Sequence, residues 1–419
     1  MNIAIIGGGA SGITAAYYLN KNGYDVTVFE KQAILGGHIR TLNKNVKVDD
    51  LDPDLILEAG VIEFSSEFHN FLSLMEELNV KLEPINVGSS IFNKEGKRYL
   101  SRTAIAKNLR GLLRIIELIK LGFIYLSASG LMLKTYLTKS SKFHDQSMAH
   151  YVRNNSIKNS WLKLLTMYCY SIPYKWVNRV PAELALSAFS HYVEADWYRI
   201  KGGVYSYIEK ILEKFKCKVV LNAEIINITR SETGISIHIK GKNKGEGKGV
   251  EVEIEQFDKI IFAVPPDQIL KLLSDPTEKE VMYFRAWKEN IAQTTVHTNP
   301  LLYKEYGISQ ASEFDFFQTK NGWGYNACLN QLCGLTPTPR YNLSFNLDNL
   351  ISKESIIYQA VHHTPMYTVK AFKYRGQIIA ENGVNNTYHA GAYLYDGLHE
   401  GAILSAKKVC EEIILSSSN

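Results

Sequence analysis

Apolar residues open the chain in one block. Ile3-Ala4-Ile5-Ile6 is a short unbroken run of strand type, and Gly7-Gly8-Gly9-Ala10-Ser11-Gly12 follows at once. Ile13 to Leu19 reads as a helix, and Asp25-Val26-Thr27-Val28-Phe29-Glu30 as a second strand closed by an acid. Further along, Lys218 to Leu221 and the apolar centre of Phe257 to Pro266 read as strands. Lys240 to Gly249 is a polar hairpin loop between two alternating stretches. Leu121 to Leu133 is an uncharged, largely apolar run too short to span a bilayer, which needs about 20 such residues.

The opening order of strand, G-x-G-x-x-G, helix and strand predicts a dinucleotide site. Gly7 permits the tight turn out of the strand, Gly9 lets backbone approach a pyrophosphate, and Gly12 lets the helix pack tightly on the sheet. Backbone N–H groups at Ala10 and Ser11 begin the helix, where its dipole favours a phosphate. Glu30 lies eighteen residues past Gly12, placed to accept hydrogen bonds from the adenosine ribose hydroxyls. Its carboxylate would repel a 2′-phosphate and so disfavours NADP; the neighbouring Lys31 blurs that inference without reversing it. NAD and FAD both remain.

Leu35-Gly36-Gly37-His38-Ile39-Arg40-Thr41 comes straight after the second strand. Gly36 and Gly37 let the chain pass close to a ligand, and Arg40 is placed to pair with a phosphate of an extended cofactor. A βαβ unit followed by Glu and then Gly-Gly-x-x-Arg resembles the flavin-containing amine oxidase and phytoene desaturase superfamily. Leu57 to Ile62 resembles that superfamily's acidic-x-Gly segment, with Glu58 in place of the usual Asp. The resemblance implies flavin contacts at Gly60, Val61 and Ile62. Gly202-Gly203 resembles the element where the chain re-enters the cofactor domain, Ile225 the residue whose backbone meets the adenine, and Ala263 part of a strand closing that domain.

The segment from Tyr388 to Ala406 carries the resemblance furthest. Gly391 would end a strand, and Gly397, Leu398 and His399 would start a helix pointing at the flavin's pyrimidine end. The pattern is similar to a bacterial branch of NAD/FAD-binding amine oxidase-like proteins, some thought to act on unsaturated or methylated acyl chains. Two departures stand out. The family's Gly-Glu pair is Gly391-Ala392, and Asp396 replaces a non-acidic residue.

Composition narrows the partners. The chain has 419 residues, 46% hydrophobic and 21% charged, which fits a globular protein of two or three domains. A net charge of +5, spread diffusely, excludes a nucleic-acid binder, and no zinc finger, basic helix or RNA-binding motif is present. One stretch does concentrate charge: residues 102–142 hold eight bases and a single acid, Glu117. That stretch is either a solvated helix of the substrate domain or a peripheral contact with an anionic membrane. Cys169, Cys217, Cys328, Cys333 and Cys410 form no C-x-x-C, and Cys328 with Cys333 lacks two further ligands nearby, so no metal site is expected. Met1-Asn2 leads straight into a strand, so no signal peptide is expected. The expectation is a cytoplasmic protein, with oligomeric state left open.

The resulting fold class is α/β: a Rossmann-like FAD-binding domain interleaved with an α+β substrate domain, as in amine oxidase-like proteins. Residues 1–65, 200–275 and 376–419 form the first; 66–199, largely helical, and 276–375, of strand character, form the second. The resemblance implies FAD, held non-covalently, and hydride removal from a lipophilic small molecule such as an unsaturated acyl chain. A flavin takes the hydride itself, so no acid–base pair is required. Tyr393, His399, His363 and Tyr367 are the candidates for the flavin-facing wall. His399 reads either as a neutral hydrogen-bond donor or as a helix-capping residue. One of His362 and His363 is expected at the site. Phe314 to Phe317 and Trp323 to Tyr325 line the cavity or pack the core. A redox-neutral fatty acid double-bond isomerase, a flavin-binding module without turnover, and an NAD-only dehydrogenase are the alternatives.

Overall fold

The computed structural model describes residues 1–137, 143, 145–152, 156–241 and 252–417. The expected hairpin loop lies outside them from residue 242 on, as do Lys139 and Lys142. The opening pattern yields β1 (Asn2–Ile6), α1 (Ala10–Lys21) and β2 (Asp25–Glu30). β1 and β2 pair in parallel, with Ile3 opposite Val26 and Ile5 opposite Val28. They are central in a five-stranded parallel sheet ordered Thr387–His389, Lys259–Phe262, β1, β2, Lys218–Leu221. Ile3, Ala4, Ile5 and Val28 are fully buried, as a parallel sheet covered on both faces requires.

One cover is α1 with the C-terminal helix His399–Ser417, where the Cys410 thiol donates to the Ala15 carbonyl at 3.4 Å. The other is a three-stranded antiparallel sheet, Ile225–Ser231, Gly234–Lys240 and Val252–Phe257. Phe257 meets Phe29 of β2 edge-on at 5.7 Å. Three sequence-distant segments thus build one parallel layer, which fixes the opening glycine turn at the sheet's carboxyl edge.

The second unit is built on a seven-stranded mixed sheet. Its order is Ile356–Pro365, Glu289–His297, Asn342–Phe345, Gly322–Cys328, Phe314–Thr319, Ser89–Phe92, Arg98–Tyr99. The last two strands come from the stretch expected to be largely helical. Ser89–Phe92 is only four residues long and pairs in parallel with Phe314 to Phe317, so no local periodicity announces it. A smaller sheet of Phe64–Ser65, Trp197–Ile200 and Leu82–Ile85 lies at the crossings between the two units.

Helices Ile157–Tyr170 and Ala182–Glu194 back the large sheet with Leu164, Leu165, Ala185 and Phe189 buried. Outside them runs Gly111–Leu137, a single helix of 27 residues. The uncharged run 121–133 is therefore only its middle. The helix continues through Arg114, Glu117 and Lys120, which sit at its flanks, and reaches about 40 Å at 1.5 Å per residue. By length and composition alone it could cross a bilayer, yet few of its residues are buried.

Candidate functional site

The opening turn is shaped by its own backbone before any ligand is considered. Gly7 has φ +107°, and a Cβ there would lie 2.5 Å from the Ala263 carbonyl oxygen. A Cβ on Gly12 would lie 1.9 Å from the Gly7 oxygen, so the helix can press on the turn only as glycine. Gly9 differs: its Cβ would meet nothing nearer than Gly37 Cα at 3.6 Å. Gly9 and Gly37 meet backbone to backbone, a Cβ on Gly37 lying 3.0 Å from Gly9 Cα. The two turns are joined by Gly36 N–H donating to the Gly8 carbonyl at 2.8 Å.

α1 starts from Gly9 with no side-chain cap and no acid in its first turn. The N–H groups at Ala10, Ser11 and Gly12 are thus offered to an anion. Glu30 is buried at the end of β2, where it accepts from Gly8 N–H and Gln32 N–H, both at 2.8 Å. Each oxygen keeps lone pairs for a further donor. Lys31 points to solvent. Ala263 joins the turn through its N–H on the Ile6 carbonyl, and Ala223, just before Ile225, bonds the Glu30 carbonyl.

Arg40 is buried beside this turn and donates to the Ile39 carbonyl at 2.9 Å and to the Gln32 side chain. Burial lowers its pKa, and Glu30 and Tyr358 oppose that loss of charge. Glu58 explains its own departure from Asp. It accepts from the Thr41 hydroxyl at 2.8 Å and from Val204 N–H at 2.7 Å, tying the Arg40 segment to the Gly202-Gly203 loop. Burial pushes its pKa up to about 8. Gly60 follows; a Cβ on it would sit 2.0 Å from the His38 carbonyl oxygen and 3.1 Å from the His362 ring. Val61 is half-buried and Ile62 buried.

At the other end, Gly391 N–H donates to Ser405 Oγ at 2.8 Å. Asp396, the second departure, accepts from Leu398 N–H at 2.8 Å and Gly401 N–H at 2.9 Å. It caps the C-terminal helix, so part of that helix's positive end is already engaged. Burial raises Asp396 to about 6. Gly397 has φ +74°, with Tyr170 and Tyr367 too close for any side chain.

The four wall candidates do not converge. Tyr393 and Tyr367 flank Trp287, at 5.6 and 5.8 Å between rings, and Tyr170 lies 5.3 Å from Tyr367. The Tyr393 hydroxyl and Trp287 indole N–H are buried with no partner among the described residues. His399 instead enters an aromatic box of Phe64, Phe71 and Tyr207, its Nε2 3.1 Å from the Tyr207 hydroxyl. Burial lowers its pKa to about 3, so it is neutral. His363 is half-buried and bonds Asp267 at 3.0 Å. Asp267, Glu289 and His363 bring three potential ligand atoms within 4.8 Å of one another, and Lys271 Nζ at 3.8 Å from Asp267 already supplies a positive charge there. His362 is the buried member of the pair. Its Nε2 lies 3.1 Å from both the Ala59 carbonyl and the Thr294 hydroxyl, and burial lowers it to about 3. Phe314, Phe316 and Phe317 are core residues, and Asp315 accepts from Ser90 N–H, Ser312 N–H and the Tyr303 hydroxyl.

Sequence reasoning missed Glu63. Its Oε1 accepts from the Tyr168 and Tyr192 hydroxyls at 2.8 and 3.0 Å, while Oε2 has no partner among the described residues. Tyr168 stacks on Phe314 at 4.3 Å and Tyr192 on Trp197 at 4.4 Å. Burial raises the Glu63 carboxyl to about 7. The available signal was a lone acid in the apolar run Val61-Ile62-Glu63-Phe64, three residues past Gly60.

These features define an α/β protein with a glycine-rich strand–turn–helix at the edge of a parallel sheet, capped by a mixed-sheet unit. The sequence model for flavin containing amine oxidoreductases matches residues 10–296, and the chain belongs to that family. It is 25% identical to a 4,4'-diapolycopen-4-al dehydrogenase of Metabacillus indicus, over 58% of this chain and 53% of that protein. The chain spans about half, or less, of the length of the first curated relatives it matches. Among solved structures it is similar to a CLA-producing fatty acid isomerase from P. acnes, with TM-score 0.70, 15% identity and 98% of each chain covered. It is also similar to putrescine oxidase bound to putrescine, with TM-score 0.67, 16% identity and 99% of each chain covered. At these identities the structural likeness establishes the fold.

Proposed function

We propose that this chain is an FAD-dependent oxidoreductase that removes hydride from an apolar substrate, an unsaturated acyl chain or another lipophilic metabolite. The observation that carries this reading is the bare glycine surface where Gly9 and Gly37 meet backbone to backbone, beside a helix N-terminus with no side-chain cap and the Glu30 carboxylate. An extended cofactor with a pyrophosphate and a ribose fits that donor and acceptor set. The first turn of α1 would hold its phosphates, Arg40 would add charge, and Glu30 would take the ribose hydroxyls. FAD, when bound, supplies the hydride acceptor. The chain itself orients and excludes water. His362 is neutral and fixed between Ala59 and Thr294, and Trp287, Tyr367 and Tyr393 offer buried aromatic surface with two donors that have no partner among the described residues. Substrate oxidation is the leading reading, and a redox-neutral double-bond isomerase is the second.

The test is the visible spectrum of the purified protein during anaerobic addition of unsaturated fatty acids or of amines. Lasting flavin bleaching by fatty acid with acceptor consumption on readmitting oxygen supports oxidation. Shifted unsaturation without net reduction supports the isomerase. Bleaching by amines alone refutes the apolar substrate. Release of the yellow cofactor on acid precipitation supports non-covalent binding.

A further inference from the structure

The helix Gly111–Leu137 is apolar on two opposite faces, and among the described residues only one of them is covered. Its inner face carries Ala128 and Met132, both buried, with Ile124 and Leu131 packed against the same core. Tyr125 adds a ring contact to Trp161 at 5.5 Å. The outer stripe runs Leu112, Ile115, Ile119, Phe123, Leu126 and Leu133, at steps of three, four or seven residues. These are 55–71% exposed. A helix of that composition is ordinarily buried all round, and monomeric soluble proteins rarely expose contiguous apolar patches above a few hundred Å².

We propose that this outer stripe seats the protein on an anionic lipid bilayer, with the helix lying in the plane of the interface rather than crossing it. Crossing is excluded by the attachments at both ends. The preceding helix Arg102–Asn108 is anchored by buried Ala104 and Ile105, and Phe143 and Met148 beyond the far end return to the core. The choice of a bilayer rests on charge. Residues 102–142 carry eight bases against one acid, and that acid, Glu117, is held on the inner flank by Lys120 at 2.9 Å. A second copy of the chain would bring the same base-rich stretch against itself, whereas anionic headgroups neutralise it. The inference does not rest on the flavin reading, because it uses no residue of the nucleotide layer. It would place the substrate unit against the phase in which an acyl chain dissolves.

The test is flotation of the full chain with phosphatidylcholine vesicles, with and without phosphatidylglycerol, at low and high salt. Binding is expected to the anionic vesicles and to weaken with salt. Ile119→Glu/Phe123→Glu/Leu126→Glu is expected to lower partitioning about a thousandfold or more, since each large apolar side chain withheld forfeits about tenfold or more. Arg114→Gln is expected to cost about fivefold on anionic vesicles only. Unchanged circular dichroism and melting of the triple variant would show that it folds. No vesicle binding, binding indifferent to lipid charge, or a wild-type dimer in sedimentation equilibrium that the triple variant splits would each overturn the proposal.

Discussion

Gly9→Val separates the demands of the ligand from those of the fold. Gly9 adopts φ −80° and ψ −172°, an extended conformation open to valine. Its Cβ would approach nothing closer than 3.6 Å, an ordinary van der Waals contact. Replacing glycine where the backbone is compatible stabilises a fold by about 0.4–1 kcal/mol through the unfolded chain. The apoprotein is therefore expected to melt at the wild-type temperature or slightly above. Binding behaves oppositely. A phosphate oxygen must come within about 2.9 Å of a backbone nitrogen, and valine's methyl carbons hold it off. Losing two charge-assisted hydrogen bonds at about 1.5–3 kcal/mol each amounts to roughly 3–6 kcal/mol, or about a hundredfold to ten-thousandfold in FAD affinity. The assays are titration calorimetry of apoprotein with FAD and melting of apoprotein without it. Wild-type FAD affinity in the variant, or an apoprotein that fails to fold, would refute the argument.

Gly12→Ala is expected to do the reverse. Its Cβ would fall 1.9 Å from the Gly7 oxygen, backbone that cannot step aside, so urea denaturation should show a loss of about 3 kcal/mol or more. Stability is also expected to depend on pH in both directions. Glu58 and Glu63 are raised from 4.5 to about 8 and about 7, so their contribution is complete below pH 4.5 and lost as pH rises through those values. His362 and His399 are lowered from 6.5 to about 3, so theirs is present above pH 6.5 and lost as pH falls toward 3. Melting temperature should peak in between, and Glu58→Gln should flatten only the alkaline limb; an unaltered alkaline limb would show that Glu58 is ionised in the folded protein.

The opening βαβ unit was legible because everything it needs is local: an apolar run, three spaced glycines and an acid at the end of the next strand. The family resemblance needed more: the Gly36-Gly37 loop with Arg40 and, above all, the segment from Tyr388 to Ala406. The wall was less legible. His399 and Tyr393 are six residues apart in sequence, but one faces Phe64 and Phe71 while the other faces Trp287. Only the turn at Asp396, set by two backbone N–H groups, separates them. Long-range pairing hid the rest. The strand Ser89–Phe92 exists because Phe314–Phe317 lies beside it, and Glu63 matters because Tyr168 and Tyr192 reach it from two different helices.

The order in which the sheets acquire their strands has a consequence for synthesis on the ribosome. β1 needs Lys259–Phe262 as one neighbour, and the outer strand Thr387–His389 and the C-terminal helix come last of all. For most of translation the nascent chain carries an incomplete parallel layer, while the long greasy helix at 111–137 has already emerged. Non-local pairing of this kind is slow and leaves sticky surface uncovered in the meantime. Production of this protein in a foreign host should therefore benefit from slower elongation, lower temperature or extra chaperone.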